Sequence, residues 1–248
     1  MRMRSSSALL HRAVVAGLFA IIAPVAAQQP TLPTAPVKAA PQEPRQRPRP
    51  ADATSLFRTF AAMTGLEARF EEDKHLALLA LPLKSKGRLY FFRRDRTSAG
   101  YLARHVEQPE VSSVLITPTE LRLQNRDGTE VVDLKRSDKV RTFITSLVHV
   151  FEGDEAALTK AYTVQFTPTE KDKAEKDPAG WTLTLVPRDK PLNQMLKSLH
   201  LVGEGEAVVR IEIEEPNGDR TVTRIVAADP TRTFDAAEQQ RLFGIGPK

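Results

Sequence analysis

The 248-residue chain contains no cysteine, which excludes disulfides, thiolate metal sites, a cysteine nucleophile and lipidation on an N-terminal cysteine. Of its 36 basic and 31 acidic residues, seven basic and two acidic ones precede Thr54, so 29 of each remain and the net charge of +5 belongs to the N-terminal part. A nucleic-acid-binding module normally carries excess positive charge itself, so this neutral module predicts no nucleic-acid partner.

The beginning of the chain has the pattern of a secretory signal peptide. Arg2, Arg4 and Arg12 form a positive region, and a short apolar run follows from Ala13 to Ala23. Small residues then lead to Ala27, after which we predict cleavage. The run is shorter than the roughly 20 apolar residues that a membrane anchor needs. We therefore predict that residues 1–27 are removed and that the mature protein is periplasmic.

The next segment, residues 28–53, is rich in proline, glutamine, alanine and arginine. It has too few periodic apolar side chains to form a core, so it is predicted to be a disordered, polyproline-like tether. A simple spacer is favoured over a segment in which Arg45 to Pro50 contacts the cell wall or anionic headgroups. Residues 54–248 have a length typical of a single domain.

This domain is predicted to begin with a helix and a β-hairpin. Thr54 or Ser55 can cap the helix. The apolar run from Leu76 to Leu83 and the segment from Leu89 to Phe92 are predicted strands, joined by a turn over Lys84 to Gly87. The later connections are also short, which predicts antiparallel pairing throughout.

The middle of the chain is predicted to be a helix with one apolar face. Ser137 can cap this helix and Gly153 can end it. Its apolar side chains recur at helical spacing, and they are Val140, Phe143, Ile144, Leu147, Val148 and Phe151. A second short helix and further strands follow, and a last amphipathic segment runs from Asp235 to Phe243. The predicted fold is α+β, with a single curved antiparallel sheet of about ten strands and a lid formed by the central helix.

Several segments, in this order, resemble the LolA-like family of outer-membrane lipoprotein carriers. Ala68–Glu71 matches a small-x-Phe-x-Gln/Glu strand of that family, and Gly87–Phe91 matches its Gly-x-Leu-x-aromatic strand. The further matches are Leu102 with Pro109, the insert from Phe143 to Asp154, Tyr162, Trp181–Leu185 with Pro187–Arg188, and Asn217–Thr221. The resemblance covers about Thr54 to Phe243, and its specificity lies in the ordered set rather than in any single motif.

The resemblance implies an incomplete β-barrel with a helical lid over an apolar cavity. Such carriers take triacylated lipoproteins from an inner-membrane exporter to an outer-membrane acceptor as monomers, without covalent chemistry. Burial of each methylene contributes about 0.8 kcal/mol, so acyl chains require a large apolar wall. The predicted wall consists of Phe70, Leu89, Phe91, Leu102, Phe143, Leu147 and Phe151. For each of these residues, a place in the ordinary core is the competing interpretation.

The family also has an arginine after the Gly-x-Leu-x-aromatic strand that holds the lid closed. The resemblance implies this latch role for Arg93 or Arg94, and an exposed edge charge is the competing interpretation. The chain departs from the family directly afterwards, because Asp95–Gly100 stands where the family usually has a proline and an aromatic pair. The cargo, a lipoprotein or another acylated lipid such as a glycolipid or fatty acid, stays open.

Two other functions stay open as well: an envelope sensor of the same fold that binds lipidated or misfolded envelope proteins, and an unrecognised hydrolase. The histidines His75, His105, His149 and His200 lack metal-ligand spacing, and nucleophile-elbow and phosphate-loop motifs are absent from the sequence. The acidic run Glu71–Asp73 is predicted to decorate a sheet edge, because neighbouring strand residues point to opposite faces. The sequence thus predicts no catalytic residue, metal or cofactor.

Overall fold

The computed structural model describes residues 49–169 and 180–246. The predicted signal peptide, most of the predicted tether and nearly all of the polar loop that begins at Lys171 lie outside these ranges. In the two described stretches, no helix combines the length and the apolar character that a membrane crossing requires.

The described residues form one antiparallel sheet of eleven strands together with four α-helices, which confirms the predicted fold class. The helices are α1 (Ala53–Ala62), α2 (Asp138–Glu152), α3 (Glu155–Ala161) and α4 (Ala236–Phe243), and 3₁₀ turns occupy Leu134–Arg136 and Leu192–Gln194. The strands are β1 (Gly65–His75), β2 (Leu83–Phe92), β3 (Tyr101–Gln108), β4 (Ser112–Ile116), β5 (Glu120–Asn125), β6 (Gly128–Asp133), β7 (Tyr162–Thr169), β8 (Gly180–Pro187), β9 (Ser198–Glu204), β10 (Ala207–Glu214) and β11 (Arg220–Asp229).

The strand order leaves the sheet with two edges. It runs β6-β5-β4-β3-β2-β1-β11-β10-β9-β8-β7, so the first and last strands pair in the centre of the sheet. The middle strands β6 and β7 become its two edges, and α2 and α3 connect them along the chain. The sheet is therefore an incomplete barrel whose two edges are linked in sequence by helices.

The central helix agrees with its prediction. The Ser137 side chain accepts a hydrogen bond from the backbone N–H of Val140, and Gly153 ends the helix in the left-handed conformation with φ of 63°. The apolar stripe of α2 packs into the main core, where Phe143 and Ile144 are each only 1% exposed. Because one face carries the apolar positions, the helix lies against the inner side of the curved sheet.

The N-terminal helix begins slightly earlier than predicted. Its N-cap is Asp52, and not Thr54 or Ser55. The Asp52 carboxylate accepts a hydrogen bond from the Ser55 backbone N–H, and the Ser55 hydroxyl interacts in turn with the backbone of the cap. Ser55 is thus the third helical residue of a capping box, a position where glutamate or glutamine is more usual.

The predicted first hairpin is wrong in its boundaries. Residues 76–82 form the connecting loop, in which Leu78 is 93% exposed, and Lys84 to Gly87 lie within β2. The run from Leu76 to Leu83 does not alternate, and it contains leucine and alanine rather than the β-branched residues that strands favour. The first strand of the hairpin is instead β1, which continues through charged residues to His75. Gly87 is required by packing, since a Cβ atom there would lie 1.9 Å from the His105 carbonyl oxygen.

A smaller core covers the outer face of β2 to β4. Phe234, which precedes α4, and Leu242 and Phe243 of α4 are buried against Tyr90 and Ala103. Helix α4 lies in the predicted last amphipathic segment, and a capping box formed by Asp235 and Glu238 begins it. Strands β2 and β3 are therefore covered on both faces, which gives the cavity a rigid wall.

A buried hydrogen bond connects α2 to the edge strand β7. The Tyr162 hydroxyl donates to Ser146 Oγ over 2.8 Å, and Ser146 Oγ donates to the Phe143 carbonyl oxygen over 2.7 Å. Tyr162 is fully buried, and burial raises the pKa of its hydroxyl to about 12. Ionisation of Tyr162 is thus opposed by the fold.

We expect this tyrosine to contribute to alkaline unfolding. A phenol whose folded pKa lies near 12 rather than 10 stabilises the fold fully below pH 10 and loses that contribution as the pH rises toward 12. Between pH 9 and 11 the wild type should lose about 1 kcal/mol more free energy of unfolding than Tyr162→Phe. Urea titrations at the two pH values measure the difference, and parallel losses in both proteins would contradict it.

Candidate functional site

A cavity of about 420 Å³ lies on the inner face of the sheet, between the sheet and the C-terminal parts of α1 and α2. Pockets that take one small-molecule ligand have volumes of roughly 300–1,000 Å³. The apolar lining side chains are Phe60, Met63, Leu147, Val150 and Phe151 at the helices and Leu66, Phe70, Leu89, Leu102, Val114, Ile116, Leu199, Leu201, Val208, Ile211, Ile213 and Ile225 on the sheet. The cavity is therefore suited to an apolar ligand.

The structure brings five of the seven predicted wall residues together at this cavity, namely Phe70, Leu89, Leu102, Leu147 and Phe151. Phe91 and Phe143 do not line it and belong to the solid core, where they are 0% and 1% exposed. The Phe91 ring stacks on the Phe151 ring with 5.8 Å between centroids. The ring of Phe151 covers Phe91, so Phe91 supports this wall residue without lining the cavity itself.

The two ends of the cavity differ in exposure. The exposed lining residues are Ala62, Glu206, Ala228, Pro230 and Thr231. They belong to the end of α1, the turn before β10 and the end of β11, all of which lie at the end of the sheet where β1 begins. We call this end the mouth, and we call the region toward the end of β1 the inner end.

The inner end contains charged residues, one of which, Glu72, was predicted to lie at a sheet edge. Glu72 is not at an edge, because β1 is a central strand, and its side chain is 2% exposed. Its carboxylate accepts hydrogen bonds from Arg104 Nη2 at 2.8 Å and from Thr223 Oγ1 at 2.9 Å. All three residues line the cavity. Alternation within β3 was the available signal, since Arg104 shares the inward face of Leu102 and Val106.

Arg93 and Arg94, the predicted latch candidates, have different environments. Arg93 is 3% exposed, and it donates hydrogen bonds to the carbonyl oxygens of Ala61 at 2.6 Å and Met63 at 2.8 Å. Burial lowers the pKa of its guanidinium. Arg94 is exposed. The structure thus places Arg93 at the end of α1 and not on α2, the predicted lid.

A hydrogen bond connects the end of the lid helix α2 to the residue before β3. The Glu152 carboxylate, on the last residue of α2, accepts a hydrogen bond from the backbone N–H of Gly100 at 2.7 Å. Gly100 directly precedes β3, and a Cβ atom there would lie 2.6 Å from the Phe91 ring. The segment in which the chain departs from the family's usual pattern therefore ends at a contact with the lid helix.

Clusters of three or more histidine or acidic side chains that could hold a metal ion are absent from the residues that the structure describes. The polar lining residues are Thr59, Glu72, Arg104, Glu206, Thr223 and Thr231. Glu72 accepts hydrogen bonds from three side chains, which leaves its carboxylate occupied by structural partners. The surface that the cavity offers to a ligand is therefore mainly apolar.

The fold and the cavity together define a half-barrel that holds a helix over an apolar binding cavity. The chain belongs to the LolA-like family, since the family model described as "Outer membrane lipoprotein carrier protein LolA-like" matches residues 46–244. Proteins of this family are carrier or binding proteins, and they are periplasmic or associated with the cell envelope. No curated protein matches the chain in sequence.

Solved structures resemble the chain at low identity. A chain of the Pseudomonas aeruginosa MucA/MucB complex is 11% identical, with a TM-score of 0.39, and the match covers 72% of this chain and 57% of that one. A LolA superfamily protein from Nitrosomonas europaea is 11% identical, with a TM-score of 0.39 and coverage of 75% and 96%. The Mycobacterium tuberculosis lipoprotein LppX is 9% identical, with a TM-score of 0.38 and coverage of 74% and 98%.

Proposed function

We propose that this protein is a periplasmic carrier that binds acyl chains of lipoproteins, or of a related acylated lipid, and delivers them toward the outer membrane. The observation that carries the proposal is the apolar cavity of about 420 Å³ between the sheet and the helices. Family membership supports the carrier role. An inner-membrane exporter and an outer-membrane acceptor would then be its transient partners, and the protein would act as a monomer.

The proposal includes the processing of the N-terminal part. Residues 1–27 would be a signal peptide cleaved near Ala27, and residues 28–53 would tether the carrier domain, residues 54–248. Lipid carriage needs neither a catalytic residue nor a cofactor, since the free energy comes from transfer of methylene groups out of water.

The cavity volume limits the cargo that fits without rearrangement. A methylene group is about as large as a water molecule, which occupies about 30 Å³. A cavity of 420 Å³ therefore holds roughly 14 methylene groups, which is about one acyl chain. A triacylated cargo would require α2 to move away from the sheet. Leu147, Val150 and Phe151 of α2 line the cavity, so such a movement would enlarge it directly.

Replacement of Leu147 by glutamate tests the cavity as the binding site. Leu147 is only 7% exposed and lines the cavity, so a carboxylate there would make acyl-chain burial unfavourable. We expect Leu147→Glu to remain folded and to lose at least about tenfold in affinity for an acyl-chain probe, a loss of about 1.4 kcal/mol. Fluorescence titration with a long-chain fluorescent lipid measures the affinity.

Leu78→Glu is the matched control, since the same substitution falls on a side chain that is 93% exposed and outside the cavity. It should bind the probe like the wild type. Equal binding by both variants would remove Leu147 from the binding site.

The native cargo can be identified directly. The protein is purified gently from a periplasmic extract, and the bound molecules are analysed by mass spectrometry. A stoichiometric lipoprotein or free lipid supports the carrier function. An empty protein that also fails to bind apolar dyes would contradict it and favour the envelope sensor, which should instead copurify with a protein partner.

A further inference from the structure

The inward face of β1 changes from apolar to charged along its length. Near the mouth it presents Leu66, Ala68 and Phe70 to the cavity, and farther along it presents Glu72, followed by Lys74. Both charged residues are buried, at 2% and 3% exposure. Burial of a charged side chain costs free energy unless the charge is paired and hydrogen-bonded. A charged inner end in an otherwise apolar cavity therefore requires an explanation.

Arg104 also lies at the inner end of the cavity wall, and its side chain has hydrogen-bond donors that Glu72 does not use. Its guanidinium carries five N–H donors. In the described part of the chain, its side chain donates one hydrogen bond, to Glu72 Oε1 at 2.8 Å. The guanidinium carbon lies over the Phe70 ring, 4.5 Å from its centroid, so a cation–π contact also holds the group. Arg104 is therefore held by Glu72 and Phe70 on the cavity wall, with donors left that no acceptor among the described residues uses.

Glu72 holds this arginine in place rather than saturating it. The carboxylate accepts hydrogen bonds from Ser85 Oγ at 3.3 Å and Thr223 Oγ1 at 2.9 Å in addition to that from Arg104. Farther along β1, Lys74 pairs with Glu215 at 3.8 Å, and these side chains are 4% and 13% exposed. The inner end thus carries paired charges, and Arg104 is the cationic member that lines the ligand space.

We propose that Arg104, positioned by Glu72, binds the carboxylate of a long-chain fatty acid that lies with its head group at the inner end and its chain toward the mouth. A carboxylate offers two acceptor oxygens, which suit the planar donor fork of arginine. From Leu66 to Glu72 the strand rises about 20 Å, a span that fits an extended chain. The proposal rests on the proposed function, because the chain must bind in this cavity.

This orientation distinguishes the ligand from a bound lipoprotein. The acyl chains of a lipoprotein end in ester or amide groups attached to the protein, which must stay outside the mouth. Their methyl ends would then reach the inner end and leave the donors of Arg104 without acceptors, which is unfavourable. A single-chain lipid with a free carboxylate provides acceptors for Arg104 at the inner end and an apolar chain for the rest of the cavity.

The test compares palmitate with hexadecanol, which have the same chain length and differ in the head group. Binding of each to the full mature protein is measured by displacement of an apolar fluorescent dye. The wild type should bind palmitate at least about tenfold more tightly, since a charge-assisted bidentate contact is lost with the alcohol. Glu72→Gln keeps an amide oxygen that can position Arg104 and removes only the compensating negative charge. This variant should therefore bind palmitate more tightly than the wild type and leave hexadecanol binding unchanged.

The double variant Glu72→Gln/Arg104→Met removes the arginine without leaving a buried carboxylate unpaired, so it avoids the main folding penalty of a single Arg104 substitution. It should bind palmitate only as tightly as hexadecanol. Equal binding of the two lipids by the wild type, or an unchanged preference in the double variant, would overturn the head-group site while dye binding upholds the cavity. A wild type that binds neither lipid nor dye would overturn both this inference and the proposed function.

Discussion

Gly153→Ala is expected to lower the free energy of unfolding by at least about 3 kcal/mol, because two penalties combine at one position. Gly153 ends α2 with φ of 63°, a left-handed conformation that costs a residue with a Cβ about 1–2 kcal/mol. Its added Cβ would also lie 2.2 Å from the Phe57 carbonyl oxygen and 2.5 Å from the Ala61 nitrogen. Both are backbone atoms of α1, so relief requires the two helices to separate.

Gly244→Ala provides the matched control for this prediction. Gly244 ends α4 with φ of 67°, and no heavy atom lies within 4 Å of an added Cβ. Its substitution should therefore cost only the backbone penalty of about 1–2 kcal/mol. Urea unfolding with linear extrapolation measures both variants. If the two alanine variants lose equal stability, the close packing of α1 against α2 does not contribute to the fold.

The lid helix could be predicted in detail because its signals are local. Ser137 caps it, Gly153 ends it, and the apolar positions between them recur at helical spacing. The order of the strand motifs likewise indicated the family, which the family model then matched over residues 46–244. Capping and periodicity are properties of neighbouring residues, and motif order is a property of the linear chain, so the sequence alone displays all three.

The inner end of the cavity could not be predicted, because it depends on pairing between the two ends of the domain. Glu72 lies beside Thr223 only because β1 pairs with β11, and this pairing joins segments about 150 residues apart. From its sequence neighbours alone, Glu72 belongs to an acidic run and is predicted to lie at an edge of the sheet. Once the strand becomes central, its inward side chain must find partners such as Arg104.

The division between wall and core residues also escaped the sequence. Phe91 and Leu89 share the inward face of β2, yet Leu89 lines the cavity and Phe91 is covered by the Phe151 ring. The alternation of a strand identifies the face and not the depth of a residue. Depth depends on where α2 ends above the sheet, which is a tertiary property.

Replacement of Arg93 by methionine is expected to cost about 3 kcal/mol, because hydrogen bonds from a charged group contribute about 1.5–3 kcal/mol each. The guanidinium donates to the Ala61 and Met63 carbonyl oxygens, which end α1 and have no partner within that helix. Methionine retains much of the side-chain length but no donor. Arg94→Met, at the exposed neighbouring position, should change stability by less than about 0.5 kcal/mol.

In the proposed carrier, Arg93 would act as a latch through α1 rather than through the lid helix itself. Ala62 and Met63 at the end of α1 line the cavity, and Ala62 is exposed at its mouth. Release of this end should widen the mouth, so Arg93→Met should release a bound fluorescent lipid faster than both the wild type and Arg94→Met, as stopped-flow dilution would measure. Equal release rates in all three proteins, together with the expected loss of stability, would show that Arg93 supports the fold and does not control access to the cavity.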